Sequence, residues 1–137
     1  MATCKPLLCA YTNSIQAVAA NAPINLAVNK ILSGIGFNHV AGTPTVEITR
    51  AGYYYISFDG DITPAADGAV TIQLYKNGEP VADAFTIFNG VTTATQSVHF
   101  DTLIKVLPSC KAIDNTTNLQ VRSNVAVTVN NASIVMF

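Results

Sequence analysis

The sequence contains little charge and no tryptophan, and these absences narrow the functions open to it. Only 11% of its 137 residues are charged, whereas globular chains carry about 25%. Seven lysines and arginines are too few for the basic face on which nucleic-acid binding depends. Half of the residues are hydrophobic, so the chain is not intrinsically disordered. We therefore expect another protein to cover part of its surface.

The chain also lacks a long apolar run and an ordered set of cysteines. No stretch reaches the roughly 18 uninterrupted apolar residues that a transmembrane helix needs. The apolar run Pro6–Tyr11 is too short to predict a cleaved signal peptide. The cysteines Cys4, Cys9 and Cys110 are irregularly spaced, which favours reduced thiols over a disulfide framework. A Cys4–Cys9 or Cys9–Cys110 bridge is the alternative.

The residues that could support catalysis are sparse. Two histidines in the whole chain cannot supply the usual metal site of a cupin-like jelly-roll enzyme. Ser97, His99 and Asp101 stand at alternate positions, but such residues lie roughly 6–7 Å apart along a strand. No G-x-S-x-G turn accompanies them. We therefore expect no enzyme, no cofactor and no metal site.

Short runs rich in valine, isoleucine, threonine and aromatic residues alternate with glycine, asparagine, aspartate and proline, which is typical of strands and turns. Asn77-Gly78 predicts a two-residue hairpin, because both positions of that turn need a positive φ. The runs predict a single all-β domain over residues 1–137, a two-sheet sandwich or jelly roll. In chain order they are Leu7–Tyr11, Ile15–Ala19, Ile24–Val28, Phe37–Ala41, Thr45–Thr49, Tyr53–Ile62, Val70–Tyr75, Val81–Phe88, Ser97–Leu107, Leu119–Ser123, Val125–Val129 and Ala132–Phe137.

Three segments resemble the C1q/TNF-like superfamily. Residues 51–58, AGYYYISF, resemble its strand signature G-x-Y-x-F-x-[FY], with Ile56 in place of the usual phenylalanine. Residues 70–81, VTIQLYKNGEPV, resemble the next hairpin of the superfamily, where L-x-x-N-G is common. Residues 131–137, NASIVMF, resemble the last strand of its bacterial and phage members.

The resemblance implies a ten-strand, two-sheet jelly-roll sandwich that forms a homotrimer, with its inner sheet facing the threefold axis. Strand parity then puts Tyr54, Ile56 and Phe58 in the core. His99 and Asp101 are placed to pair, and three copies of His99 at the axis would make the trimer sensitive to acid. The predicted trimer-interface residues are Tyr53, Tyr55, His99, Asp101, Leu103 and Met136.

Small members of the superfamily without a collagen stalk resemble phage head-fibre or capsid-decoration proteins, and this chain has no Gly-X-Y repeat. We therefore expect a non-enzymatic, homotrimeric virion surface protein, assembled in the host cytoplasm, that attaches to a capsid. The loops expected to face solvent are 64–69, 79–83 and 89–95. Residues 1–22 are expected to form either an attachment arm or the first strands of the inner sheet.

Two alternatives concern the partner and the location. In the first, the protein is a spore-surface or cell-surface trimer of the same fold, with a surface-layer protein as its partner. In the second, it binds a host glycan or receptor, for which Tyr75, Phe88 and Asn89 offer aromatic and carboxamide groups. Neither alternative involves nucleic acid or insertion into a membrane.

Overall fold

The computed structural model describes residues 6–107 and 117–137, which form two antiparallel β-sheets packed face to face. The first sheet has the order β3-β1-β11-β6-β9, with β2 paired to the far end of β11, and the second has the order β4-β5-β10-β7-β8. This confirms the predicted all-β jelly-roll sandwich. The strands are β1 (Leu7–Thr12), β2 (Gln16–Val18), β3 (Val28–Ser33), β4 (Phe37–Asn38), β5 (Val46–Ile48), β6 (Gly52–Pro64), β7 (Gly68–Lys76), β8 (Glu79–Gly90), β9 (Gln96–Val106), β10 (Thr117–Ser123) and β11 (Val127–Met136).

The core lies between the two sheets and follows the alternation of residues along the strands. Tyr54, Ile56 and Phe58 of β6 are at most 6% exposed, as the parity of that strand predicts. Phe58 stacks on Phe100 of β9, with ring centroids 5.3 Å apart. Side chains such as Leu74 of β7 meet this layer from the second sheet and are fully buried. The period of two therefore determines which face of each long strand is apolar.

The hairpin between β7 and β8 has the predicted turn. Asn77 and Gly78 have φ values of 51° and 85°, the left-handed conformation that a two-residue turn between antiparallel strands requires. The turn is also held to the neighbouring strand β10, because Asn77 Oδ1 accepts a hydrogen bond from the backbone N–H of Asn118 at 2.8 Å. This hairpin brings the end of β7 beside β10.

Some predicted strand boundaries differ from the observed ones. Asn131 does not end a strand, because β11 runs through it with a bulge between Val129 and Asn131 opposite β6. The predicted run 24–28 contains one isolated bridge, Leu26 to Thr43, and β3 begins at its last residue, Val28. The described residues thus contain eleven strands where the resemblance implied ten.

The three loops expected to face solvent do not form one surface. Residues 79–83 belong to β8 and lie at the Asn77-Gly78 end of the sandwich. The other two loops meet at the opposite end, where Asp67 Oδ1 accepts a hydrogen bond from the backbone N–H of Thr92 at 2.7 Å. The hydrogen bonds from Thr92 lower the pKa of the Asp67 carboxyl.

Part of the amino-terminal segment belongs to the first sheet. β1 and β2 lie within residues 1–22 and pair with successive parts of β11. Residues 1–5, with Cys4, and residues 108–116, with Cys110, lie outside the described residues. Cys9 is half-buried on β1. Over 6–107 and 117–137, no helix is long and apolar enough to cross a membrane.

Candidate functional site

The outward face of the first sheet is the side that points away from the second sheet. Tyr53 and Tyr55 of β6 and Leu103 of β9 lie on this face, which agrees with the parity of the sequence. Tyr53 is 74% exposed and Leu103 is 71% exposed, both high values for large apolar side chains. Tyr55 is paired directly with Leu103 across the ladder. These positions form one continuous surface.

Apolar side chains gather at the end of this face where β6 begins. The ring of Phe137 lies 5.1 Å from the ring of Tyr55, centroid to centroid. The ammonium group of Lys105 lies 5.6 Å from the centroid of the Tyr53 ring and borders the surface. We name this set the apolar end, and its members are Leu7, Cys9, Ile31, Tyr53, Tyr55, Leu103, Val135 and Phe137.

Met136 does not belong to this face, which corrects its assignment to the predicted interface. It pairs with Ile56 of β6, and its side chain is fully buried between the sheets. Successive residues of a strand point to opposite sides, so its neighbours Val135 and Phe137 lie outward instead. Phe137 is 57% exposed. The sequence already indicated which residues of β11 face outward, since the polar Ser133 shares the outward side with Val135 and Phe137.

The opposite end of the face is polar. His99 Nδ1 lies 2.8 Å from Asp59 Oδ1 across the β6–β9 ladder. Asp61 accepts hydrogen bonds at 2.7 Å from Ser97 Oγ and from Asn131 Nδ2. We name these five residues the polar end. The outward face therefore divides into an apolar half and a half that carries two carboxylates and an imidazole.

Asp101 lies between the two ends, and its partner is not the predicted one. Its carboxylate accepts a hydrogen bond of 2.7 Å from the Tyr55 hydroxyl, whereas His99 contacts Asp59. Residues directly opposite each other in an antiparallel ladder have Cβ atoms about 4.5–5.5 Å apart, closer than alternate residues of one strand. The pairing of β6 with β9 therefore gives His99 a nearer carboxylate than Asp101.

The hydrogen bonds on this face shift two pKa values. The pKa of Tyr55 is raised, chiefly because its hydroxyl donates to the Asp101 carboxylate. The pKa of Asp61 is lowered, first by the hydrogen bond from Asn131 and then by that from Ser97. Around neutral pH, Tyr55 is consequently a neutral donor and Asp61 is a charged acceptor.

This arrangement does not assemble a Ser-His-Asp relay. The Ser97 hydroxyl donates to Asp61, and His99 is paired with Asp59, so the hydrogen bonds run across the strands and not from Ser97 to His99. Among residues 6–107 and 117–137, no group of three or more His, Cys, Asp or Glu side chains is placed to hold a metal ion.

The sequence matches no protein-family model and no curated protein. Solved structures nevertheless share its whole fold. The globular domain of zebrafish complement 1qA protein is 13% identical and superposes with a TM-score of 0.70, covering 97% of this chain and 96% of that one. The chain has the C1q/TNF-like jelly-roll fold. Murine APRIL at pH 8.5 is 11% identical, with a TM-score of 0.69 over 96% of this chain and 98% of that one.

A vertex protein also has this fold. The PRD1 vertex protein P5 is 11% identical and has a TM-score of 0.56, covering 95% of each chain. Identities this low show a common fold and leave function to the surface residues of each protein. On this chain, the outward face of the first sheet is the surface whose chemistry most needs explanation.

Proposed function

We propose that the protein is a homotrimer in which the apolar ends of three copies pack around a threefold axis. The exposure of Leu103 and Tyr53, diagonal neighbours on the outward face of the β6–β9 ladder, is the observation that carries this proposal. Contiguous apolar patches of this kind are rare on monomers and mark surfaces that another protein covers. The resemblance of the sequence to the C1q/TNF-like superfamily implies the same face as the interface.

The chemistry of the face suits a permanent interface. Each large aliphatic or aromatic side chain that is buried on assembly contributes roughly 1.5–3 kcal/mol. Tyr55 keeps its hydroxyl satisfied by Asp101, so burying its ring leaves no unpaired donor. In a single chain this apolar face would be exposed to water, which is unfavourable, and with only 11% charged residues the chain has few polar groups to offset that cost. Burial in an obligate oligomer removes that cost.

We further propose that the trimer is a non-enzymatic surface protein of a phage particle, attached to its capsid. The resemblance of residues 131–137 to the last strand of phage members supports a virion, and the PRD1 vertex protein P5 shows that this fold also occurs in a vertex protein. A spore or cell surface is the alternative location, with a surface-layer protein as the partner. In either case the outward face of the second sheet remains available to the surroundings.

Light scattering on the purified full chain tests the assembly. We expect a particle mass three times the 14.4 kDa of one chain. A monomeric mass at micromolar concentration would overturn both the trimer and the interface. The location is tested by immunogold labelling of purified virions and spores with an antiserum against the protein. Label on intact virions supports the capsid proposal, whereas label on spores alone contradicts it.

A further inference from the structure

A polar cleft of about 270 Å³ opens on the outward face of the second sheet, on the side of the molecule away from the apolar end. Three neighbouring strands build it, because Gln120 of β10 lies beside Tyr75 of β7 and hydrogen-bonds Thr45 at the start of β5. The side chains that line it are Thr45, Tyr75, Asn77, Asn118, Gln120 and Arg122. Arg122 is the single formal charge among them.

The Arg122 guanidinium is held in place by two neighbours. Its Cζ lies 4.6 Å from the centroid of the Tyr75 ring, a cation–π contact. Its Nε and Nη2 groups donate to Gln120 Oε1 at 3.2 and 2.8 Å. Gln120 is itself fixed, since its Nε2 donates to Thr45 Oγ1 at 2.7 Å. The side chain is therefore pre-organised before any ligand arrives.

The same contacts leave most of the guanidinium unused. Arginine has five N–H donors, and Gln120 takes two of them. Over residues 6–107 and 117–137, Arg122 forms no salt bridge and the Tyr75 hydroxyl makes no hydrogen bond. Neither group is exposed on a flat surface, because both line the cleft. An oriented cation with free donors is what a planar carboxylate needs for bidentate binding.

We propose that this cleft binds a carboxylate-bearing sugar unit, with Arg122 on the carboxylate. The side chains of Asn118 and Thr45 and the Tyr75 hydroxyl line the remaining space and match sugar hydroxyls. Its volume of about 270 Å³ lies near the lower end of the range of small-molecule sites, about 300–1,000 Å³, which suits one small polar unit. Phosphate is a poorer match, since only one cation is present.

The cleft differs from the glycan site that the sequence suggested. Phe88 and Asn89 pair with Val70 and Ala69 at the start of β7, whereas Tyr75 lies near its end. At about 3.3 Å per residue, these positions are roughly 16 Å apart. Only Tyr75 of that trio belongs to the cleft. Because the cleft and the apolar end are on opposite sheets, sugar binding does not rest on the proposed trimer.

Saturation-transfer difference NMR with methyl glucuronide and methyl glucoside tests the proposal. We expect the glucuronide to bind and the uncharged glucoside to bind about 10- to 100-fold more weakly, since one charged hydrogen-bonded pair is lost. Equal binding of both sugars would overturn the role of Arg122. Displacement of the glucuronide by acetate at the same concentration would overturn the sugar class, because it would show that any carboxylate suffices.

Variants locate the site. Arg122→Gln is expected to weaken glucuronide binding about 10-fold or more, and Arg122→Lys to weaken it as well, since lysine lacks the bidentate fork. If Arg122→Gln does not fold, Arg122→Lys decides, because it keeps the charge and the aliphatic stem. The matched control is Arg50→Gln, an exposed arginine outside the cleft, which should bind normally. Undiminished binding by Arg122→Lys, or an equal loss in Arg50→Gln, would contradict the assignment.

Discussion

His99 Nδ1 lies 2.8 Å from Asp59 Oδ1, and the two residues are direct partners in the ladder between β6 and β9. If the outward face follows the threefold axis over its whole length, three copies of His99 approach one another at the polar end. An imidazolium formed in acid then has its own carboxylate beside it, which offsets the repulsion among the three copies. We therefore expect Asp59 to offset the acid sensitivity that the sequence predicts for His99 alone.

The first prediction is that Asp59→Asn makes the assembly sensitive to acid. The substitution keeps the size of the side chain and removes the charge that offsets the imidazolium. We expect the variant to dissociate at about pH 5 and to stay trimeric at about pH 8, because a charged imidazole in acid would then have no carboxylate directly opposite it. The wild type should keep its mass at both values, as measured by light scattering.

The double variant Asp59→Asn/His99→Gln is the control for this effect. It has no imidazole at this position, so its mass should again be independent of pH over the same range. Asp61, Asp101 and Lys105 share the face and are unchanged in every variant. If Asp59→Asn is equally trimeric at both pH values, the polar end does not lie at the axis.

The second prediction concerns the apolar end. Leu103→Asp places a carboxylate within the proposed interface, where burial of an unpaired charge costs several kcal/mol. Because Leu103 is 71% exposed in the single chain, the fold of the monomer should be unaffected. We expect the mass in solution to fall to that of one chain, while circular dichroism stays that of a β-protein.

A matched substitution on the other sheet provides the control. Ile87 of β8 is an aliphatic residue that is 59% exposed and lies on the outward face of the second sheet. Ile87→Asp adds the same charge there and should leave the trimer intact. If Ile87→Asp dissociates the trimer and Leu103→Asp does not, the interface lies on the second sheet and the proposal is wrong.

The third prediction separates Met136 from Phe137. Met136→Ala leaves a cavity in the core and should lower the free energy of unfolding by about 2–5 kcal/mol. Phe137→Ala should cost the monomer less and weaken association instead. Urea denaturation in a Leu103→Asp background measures the stabilities without linkage to assembly. A larger loss for Phe137→Ala than for Met136→Ala would contradict the observed phase of β11.

The alternation along single strands could be predicted from the sequence, and so could the turn at Asn77-Gly78. Both are local, since a strand period of two and a pair of positive φ values depend on adjacent residues. The phase of β11 is only partly local. The bulge between Val129 and Asn131 interrupts the alternation of Val127–Val129, so the polar Ser133 is the remaining local sign, and Met136 was placed on the wrong side.

Contacts between strands could not be predicted from the sequence for the same reason. The partner of His99 is 40 positions away along the chain, and Gln120 lies 75 positions from Thr45. Such pairs are set by register, which the burial of one whole sheet face determines. The cleft around Arg122 therefore had no sequence signal beyond a tyrosine, whereas the exposed Tyr53 and Leu103 followed from parity.

The fourth prediction uses the pKa of Asp61, which lies below its usual value because Asn131 and Ser97 donate to the carboxylate. A lowered pKa in the folded state stabilises the fold at any pH above the unfolded value, and this contribution is lost as the pH falls through the folded pKa. We expect Asp61→Asn to lower the free energy of unfolding at about pH 7 by less than about 1 kcal/mol, since the group is open to solvent.

The difference between Asp61→Asn and its parent should shrink as the pH falls towards about 2, because the parent carboxyl takes up a proton over this range. Thermal unfolding of both chains in the Leu103→Asp background measures this without a contribution from assembly. Glu79→Gln is the matched control, because Glu79 is exposed and makes no side-chain hydrogen bond within residues 6–107 and 117–137, so its removal should change stability little at either pH. A loss of stability that is as large at about pH 2 as at about pH 7 would contradict the prediction. It would mean that Asn131 and Ser97 bind the protonated carboxyl equally well, and that Asp61 does not act as a charged acceptor at the polar end.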